Sequence, residues 1–169
     1  DSFSFLMKDL LFGTAGIPFS ANPRTTADGI RHVKELGLGA MELEFVRSIN
    51  ITKDKAPEIR KVAEENNVVL TCHAPYFINL NSLEKAKIKA SIERIVNSAR
   101  IASLCGGYSV CFHAGFYMGQ EPKKTYDTVK HNLKEIISIL KKEGINIWVR
   151  PETTGKETQF GNVDEILQL

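Results

Sequence analysis

Three residues able to ligate a metal recur in step along the chain: His73, His113 and Glu152, separated by 40 and 39 residues. Two imidazoles and a carboxylate suit zinc or a similar divalent ion. A lone histidine at a strand end is more often structural than ligating, whereas three such residues at one repeating interval favour a metal site. The competing reading has both histidines bonding backbone at loop starts and Glu152 pairing with a nearby lysine.

The interval matches one strand-helix unit, and the sequence between the three residues has that pattern. Strands are expected over residues 10–14, 40–45, 67–72, 108–112 and 145–150, from short apolar or alternating runs bounded by turn residues. Between them, apolar residues recur at helical spacing. The first set is Ile30, Val33 and Leu36, stopped by Gly37; the second is Ile59, Val62 and Ala63 behind Pro57. A long helix over 83–104 carries Ile88, Ile92, Ile95, Val96, Ala99 and Ala102, and a fourth carries Val129, Leu133, Ile136, Ile137 and Leu140. A fifth begins near Asn162. Trp148, in mid-strand, is expected in the core.

Five strands alternating with helices predict an α/β fold of parallel βαβ units. A doubly wound open sheet fits the length, whereas a complete (β/α) TIM barrel needs about 200 residues or more. Against a dinucleotide fold, Gly13-Thr14-Ala15-Gly16 lacks the GxGxxG spacing and runs into Pro18. In either parallel architecture the carboxyl ends of the strands form one rim, where His73, His113 and Glu152 would converge.

Composition narrows the class further. The chain has 169 residues, 43% hydrophobic and 25% charged, which is the composition of one globular domain and excludes collagen-like and disordered chains. Nothing approaches the run of about 18 apolar residues that a membrane helix requires, and the start lacks a signal-peptide pattern, so a cytoplasmic, non-membrane protein is expected. Residues 1–6 read as an expression scar ahead of a natural start at Met7, with residues 7–169 as the domain. Cys72, Cys105 and Cys111 have no CxxC spacing and read as small core residues. The balance of 22 basic to 20 acidic residues is too even to announce a nucleic-acid partner, so such a partner would be held locally.

The wording of the segments adds a resemblance. His73-Ala74-Pro75-Tyr76-Phe77-Ile78-Asn79-Leu80 resembles the first signature of the endonuclease IV family, metal-dependent enzymes that cut DNA at abasic sites. Phe112-His113-Ala114-Gly115 is similar to the family's second histidine strand, and Arg150-Pro151-Glu152-Thr153-Thr154-Gly155 to its glutamate strand. Phe12-Gly13-Thr14-Ala15-Gly16-Ile17-Pro18 is similar to the opening of archaeal-type members. The resemblance implies an eight-stranded barrel with a trinuclear zinc site, of which this chain holds the first five β/α units and at most one well-formed zinc site. His73 and His113 would bind one zinc, and Glu152 would bridge it to a second while orienting the attacking water as the catalytic carboxylate. The family's later ligand motifs are not found in this sequence.

The implied activity is hydrolysis of the phosphodiester 5′ to an abasic site in DNA repair, with abasic DNA as partner and this fragment inactive or impaired. Tyr76 would stack on the DNA, and Arg24, Arg47 and Lys53 would bind its phosphates. Asn79 is expected to fix a loop by hydrogen bonding, and Glu44 to form a rim salt bridge with Arg47 or a similar partner. Two alternatives stand beside this reading: a sugar-phosphate isomerase or epimerase of the xylose isomerase-like barrels, and a metal- or DNA-binding fragment without catalysis. Open barrel edges would also allow self-association.

Overall fold

Helix boundaries follow from local chemistry. In the computed structural model, which describes residues 10–169, Thr25 caps the first helix by accepting from the Asp28 N–H. Pro57 and Pro122 occupy first-turn positions, where no N–H is needed. Asn67 ends the second helix in the left-handed region at φ 52°, and a reciprocal Asn162–Glu165 capping box opens the last. The expected start at Met7 and the segment 1–6 lie outside the described residues.

The elements run β1 (Gly13–Ala15), α1 (Thr26–Glu35), β2 (Ala40–Glu44), α2 (Ala56–Asn66), β3 (Val69–His73), α3 (Lys85–Leu104), β4 (Ser109–Phe112), β5 (Gly115–Phe116), α4 (Pro122–Lys142), β6 (Trp148–Pro151), β7 (Gln159–Phe160) and α5 (Val163–Gln168). Five strands form one parallel sheet in the order β1-β2-β3-β4-β6. That order never reverses, whereas a doubly wound sheet must reverse at a switch point. Right-handed crossovers in a monotonic order put every helix on one face, and α1, α2, α3 and α4 pack each against the next. The fold is therefore of the TIM-barrel type, with five β/α units. The small antiparallel pair β5–β7 joins the loops after β4 and β6.

The parallel register sorts the side chains into two sets. Met41, Leu43, Leu70, Cys72, Val110 and Phe112 face the helices and are buried against residues such as Ile30, Val33, Ile95, Val129 and Ile136. Glu42, Glu44, Thr71, His73, Ser109, Cys111, Trp148 and Arg150 share the opposite, inner face.

Four expectations are corrected. The first strand begins at Gly13 rather than residue 10, and Leu10 and Phe12 are exposed along the sheet edge. Leu36 is the exposed C-cap of α1, and Ile137 turns partly to solvent one position off the α4 stripe. Trp148 is not core: it is 57% exposed. It pairs in register with Ser109 on the inner face of an edge strand, where no helix covers it, and the Arg150 guanidinium lies over its ring. Among the described residues no helix is long and apolar enough to cross a membrane. All three cysteines are free; Cys72 and Cys105 are buried as expected, and Cys111 is half-buried.

Candidate metal centre

Strand ends deliver the three candidate ligands. His73 is the last residue of β3, and its carbonyl accepts from the Phe45 N–H, which extends the β2–β3 ladder beyond both strands. His113 follows β4 directly. Glu152 follows β6, and its N–H donates to the Phe112 carbonyl, so Glu152 sits one rung past the β4–β6 pairing. One donor atom from each residue lies within 4.8 Å of the others.

The donor set fits a small divalent ion. His73 Nδ1 donates to the Ala74 carbonyl at 2.7 Å, which leaves the Nε2 lone pair pointing at Glu152 Oε2, 3.1 Å away. His113 Nδ1 is buried without a hydrogen-bond partner and lies 3.5 Å from the same oxygen. A lone pair at His73 Nε2 facing a carboxylate oxygen calls for a shared cation or a proton between them, and His113 Nδ1 faces the same oxygen. Ligands about 2.0–2.1 Å from a tetrahedral zinc stand roughly 3.3 Å apart, and both spacings bracket that value. The lysine reading of Glu152 does not hold among the described residues, whose ion pairs give it only the two histidines.

A second feature lies beside this triad. Glu44 is in register with His73, and Glu42 stands two residues earlier on the same face. Burial, then sharing of a proton with the adjacent Glu44 and its charge, push Glu42 up to about 7, with the Glu152 charge acting in the same direction. The expected rim pair of Glu44 with Arg47 is absent: no such ion pair occurs among the described residues. Instead Glu42 and Glu44 line a cleft of about 290 Å³ between the ends of β1 and β2, together with Arg24, Thr26 and Asn50. Cys111 is in register with His73, but burial and the Glu152 charge hold its thiol up at about 11, so it stays protonated at neutral pH.

The remaining rim residues separate. Tyr76 stands over the triad, its ring 5.4 Å from that of His73 and 6.4 Å from that of His113, and it is half exposed. Arg24 lines the acidic cleft with its guanidinium over the Phe19 ring. Arg47 and Lys53 are exposed in the loop after β2. Sequence reasoning overlooked Glu42, although alternation from Glu44 would have found it.

A model of the xylose isomerase-like TIM barrel family matches residues 30–169. The chain belongs to this family. As a xylose isomerase-like chain it is 41% identical over 160 residues to the uncharacterized protein MJ0133 of Methanocaldococcus jannaschii, an alignment covering 95% of this chain and 57% of that protein. A probable endonuclease 4 of Mycoplasma genitalium is 27% identical over 81 residues, which is 48% of this chain and 28% of that one. The structure is similar to a D-tagatose 3-epimerase-like protein (TM-score 0.72, 18% identity, 94% of this chain and 58% of that one). It is also similar to endonuclease IV from Thermus thermophilus (TM-score 0.66, 20% identity, 90% and 55%). The chain thus spans little more than half the length of MJ0133 and of these two solved structures. The xylose isomerase-like fold is shared by sugar epimerases and abasic-site endonucleases, so fold alone does not separate the two chemistries.

Proposed function

We propose that His73, His113 and Glu152 hold one divalent ion in an enzyme that moves a proton on a small polyhydroxylated carbonyl compound, as a sugar isomerase or epimerase does. The observation that carries this is the Glu42–Glu44 pair beside the triad. A carboxyl poised near 7 takes and returns protons at physiological pH, where an ordinary glutamate stays ionised. The same pair would repel a phosphodiester, and the 290 Å³ cleft has the scale of a small molecule.

When bound, the ion would polarise a carbonyl or hydroxyl oxygen of the substrate. Glu42, in its ionised form, would remove the proton from the carbon next to that carbonyl to leave an enediolate, and Glu44 would share the proton. Its delivery to the former carbonyl carbon, with the hydroxyl proton passing to the other oxygen, would give the isomer. Arg24 and Asn50 would orient hydroxyl or anionic groups at the mouth of the cleft, and Tyr76 would cover the site from its outer side.

A second reading, abasic-site phosphodiester hydrolysis with zinc, is favoured by the His73-to-Leu80 motif and the half-exposed Tyr76 ring over the triad. Tyr76 would then stack on DNA, with Arg24, Arg47 and Lys53 on phosphates and Glu152 orienting the attacking water. One experiment separates the two. Protein loaded with Zn²⁺, Mn²⁺ or Mg²⁺ is incubated in D₂O with a panel of ketoses and ketose phosphates, and in parallel with an abasic-site oligonucleotide. Deuterium at a carbon next to the carbonyl, lost in Glu42→Gln, is expected. Nicking of the oligonucleotide without deuterium uptake would replace this reading by the second.

A further inference from the structure

We infer that Asn79 and Asn81 are positioning residues for the metal centre: their carboxamides clamp the loop after β3 to the loop after β4 and thereby set where His113 stands relative to His73. The inference rests on the metal reading of His73, His113 and Glu152.

The start of the loop after β3 is tied to β4 by the Ala74 N–H donating to the Cys111 carbonyl at 2.9 Å; beyond that point the two loops are held together by Asn79, Leu80 and Asn81. His73 is tied down twice, by its place at the end of β3 and by its Nδ1 donating to Ala74. His113 is not: it lies just beyond β4, and its Nδ1 has no partner. Its backbone is held on the preceding side by the Phe112 carbonyl, which accepts from the Glu152 N–H, and on the other side by the residues that follow.

That backbone is gripped from the other loop. The Leu80 N–H donates to the Ala114 carbonyl at 2.9 Å. Asn79 Oδ1 accepts from the Asn81 N–H at 3.0 Å and from the Phe116 N–H at 3.2 Å. Asn81 Nδ2 donates to the carbonyls of Phe116 at 2.9 Å and Tyr117 at 3.3 Å, and to Thr125 Oγ1 at 3.3 Å. Asn81 is buried, so each lost bond would strand a polar group without water to replace the partner.

Two helices support the grip. Asn132 on α4 donates to the Leu80 carbonyl at 2.8 Å, and the Asn79 N–H donates to Ser91 Oγ on α3 at 2.9 Å. Gly115 lies directly under the clamp: a Cβ there would stand 2.6 Å from Asn79 Oδ1. The loops approach this closely only because residue 115 has no side chain. Groups that orient metal ligands from outside the coordination shell typically change affinity 10- to 100-fold when replaced.

The two asparagines use opposite halves of the same group, so one substitution has opposite consequences at the two positions. Asn79 acts only through its acceptor oxygen, and Asn79→Asp retains it. Asn81 acts through its donor nitrogen, and Asn81→Asp would set a carboxylate against two carbonyl oxygens. The test measures Zn²⁺ affinity by competition with a chromophoric chelator, and the Co²⁺ d–d absorption spectrum, in protein checked for folding by circular dichroism.

Asn79→Asp is expected to bind within about threefold of the unsubstituted chain, and Asn81→Asp 10- to 100-fold more weakly with an altered Co²⁺ spectrum. Should Asn81→Asp fail to fold, Gly115→Ala presses a Cβ against Asn79 Oδ1 and parts the loops while leaving both carboxamides chemically intact, and it is expected to weaken binding at least tenfold. Unchanged affinity and an unchanged Co²⁺ spectrum in these weakened variants, whatever their melting temperatures, would overturn the inference. Failure of the unsubstituted chain to bind Zn²⁺ would overturn the metal reading itself, and this inference with it.

Discussion

The two faces of the same five strands differ as much as two separate regions would. The helix-facing side carries Met41, Leu43, Leu70, Cys72, Val110 and Phe112, all nearly inaccessible. One residue along, the inner face carries Glu42, Glu44, Thr71, His73 and Cys111, with Arg150 on β6 in register with Cys111. Burial of apolar surface on the first face supplies stability, while the second assembles groups that would be costly to bury unpaired. Strand alternation thus lets a residue essential to the fold and a residue suited to chemistry be chain neighbours.

The comparison breaks first at Leu70. Leu70→Ala is expected to cost about 2–5 kcal/mol of unfolding free energy by denaturant titration, with zinc stoichiometry retained because His73 three residues away faces the other side. A loss below about 1 kcal/mol would mean that the helix-facing side does not carry the stability assigned to it.

A smaller and pH-dependent effect is expected at Glu42. Its carboxyl is raised from 4.5 to about 7 in the folded protein, chiefly by burial, so the native state holds this proton more tightly than the unfolded chain does. That stabilisation is full at acid pH and is lost as pH rises from about 4.5 through about 7. Glu42→Gln keeps a neutral group in place. In metal-free protein it should be near neutral at pH 5 and stabilising by about 1 kcal/mol at pH 8, the full effect being reduced by solvent at a half-buried site. Equal effects at both pH values would show that the inner face does not strain this carboxylate. Smallest is Trp148→Ala, expected within about 0.5 kcal/mol of the unsubstituted chain because the ring is mostly exposed; a loss of several kcal/mol would return this residue to the core.

Much of this division was legible beforehand. The alternation of Met41, Leu43 and Phe45 and the stripes of Ile92, Ile95, Val96 and Ala99 depend on local periodicity, which survives in any tertiary context. The 40- and 39-residue intervals brought His73, His113 and Glu152 to one rim because each strand-helix unit returns the chain to the same edge. Trp148 was misread since hydrophobicity does not say whether an edge strand is covered on both faces. Glu44 was given to Arg47 on proximity in the chain, whereas its actual neighbours, Glu42 and His73, follow from strand register. The β5–β7 pair and the donations of the Asn81 side chain join segments 35 or more residues apart, and no local signal encodes them.

The claim that the inner face is built around one metal centre is tested most directly by zinc stoichiometry. Protein purified without chelator and dialysed against micromolar Zn²⁺ is expected to retain one equivalent, and His113→Ala, folded by circular dichroism, to lose at least 100-fold in affinity, roughly 2.7 kcal/mol. One equivalent bound with unchanged affinity in His113→Ala would contradict the account.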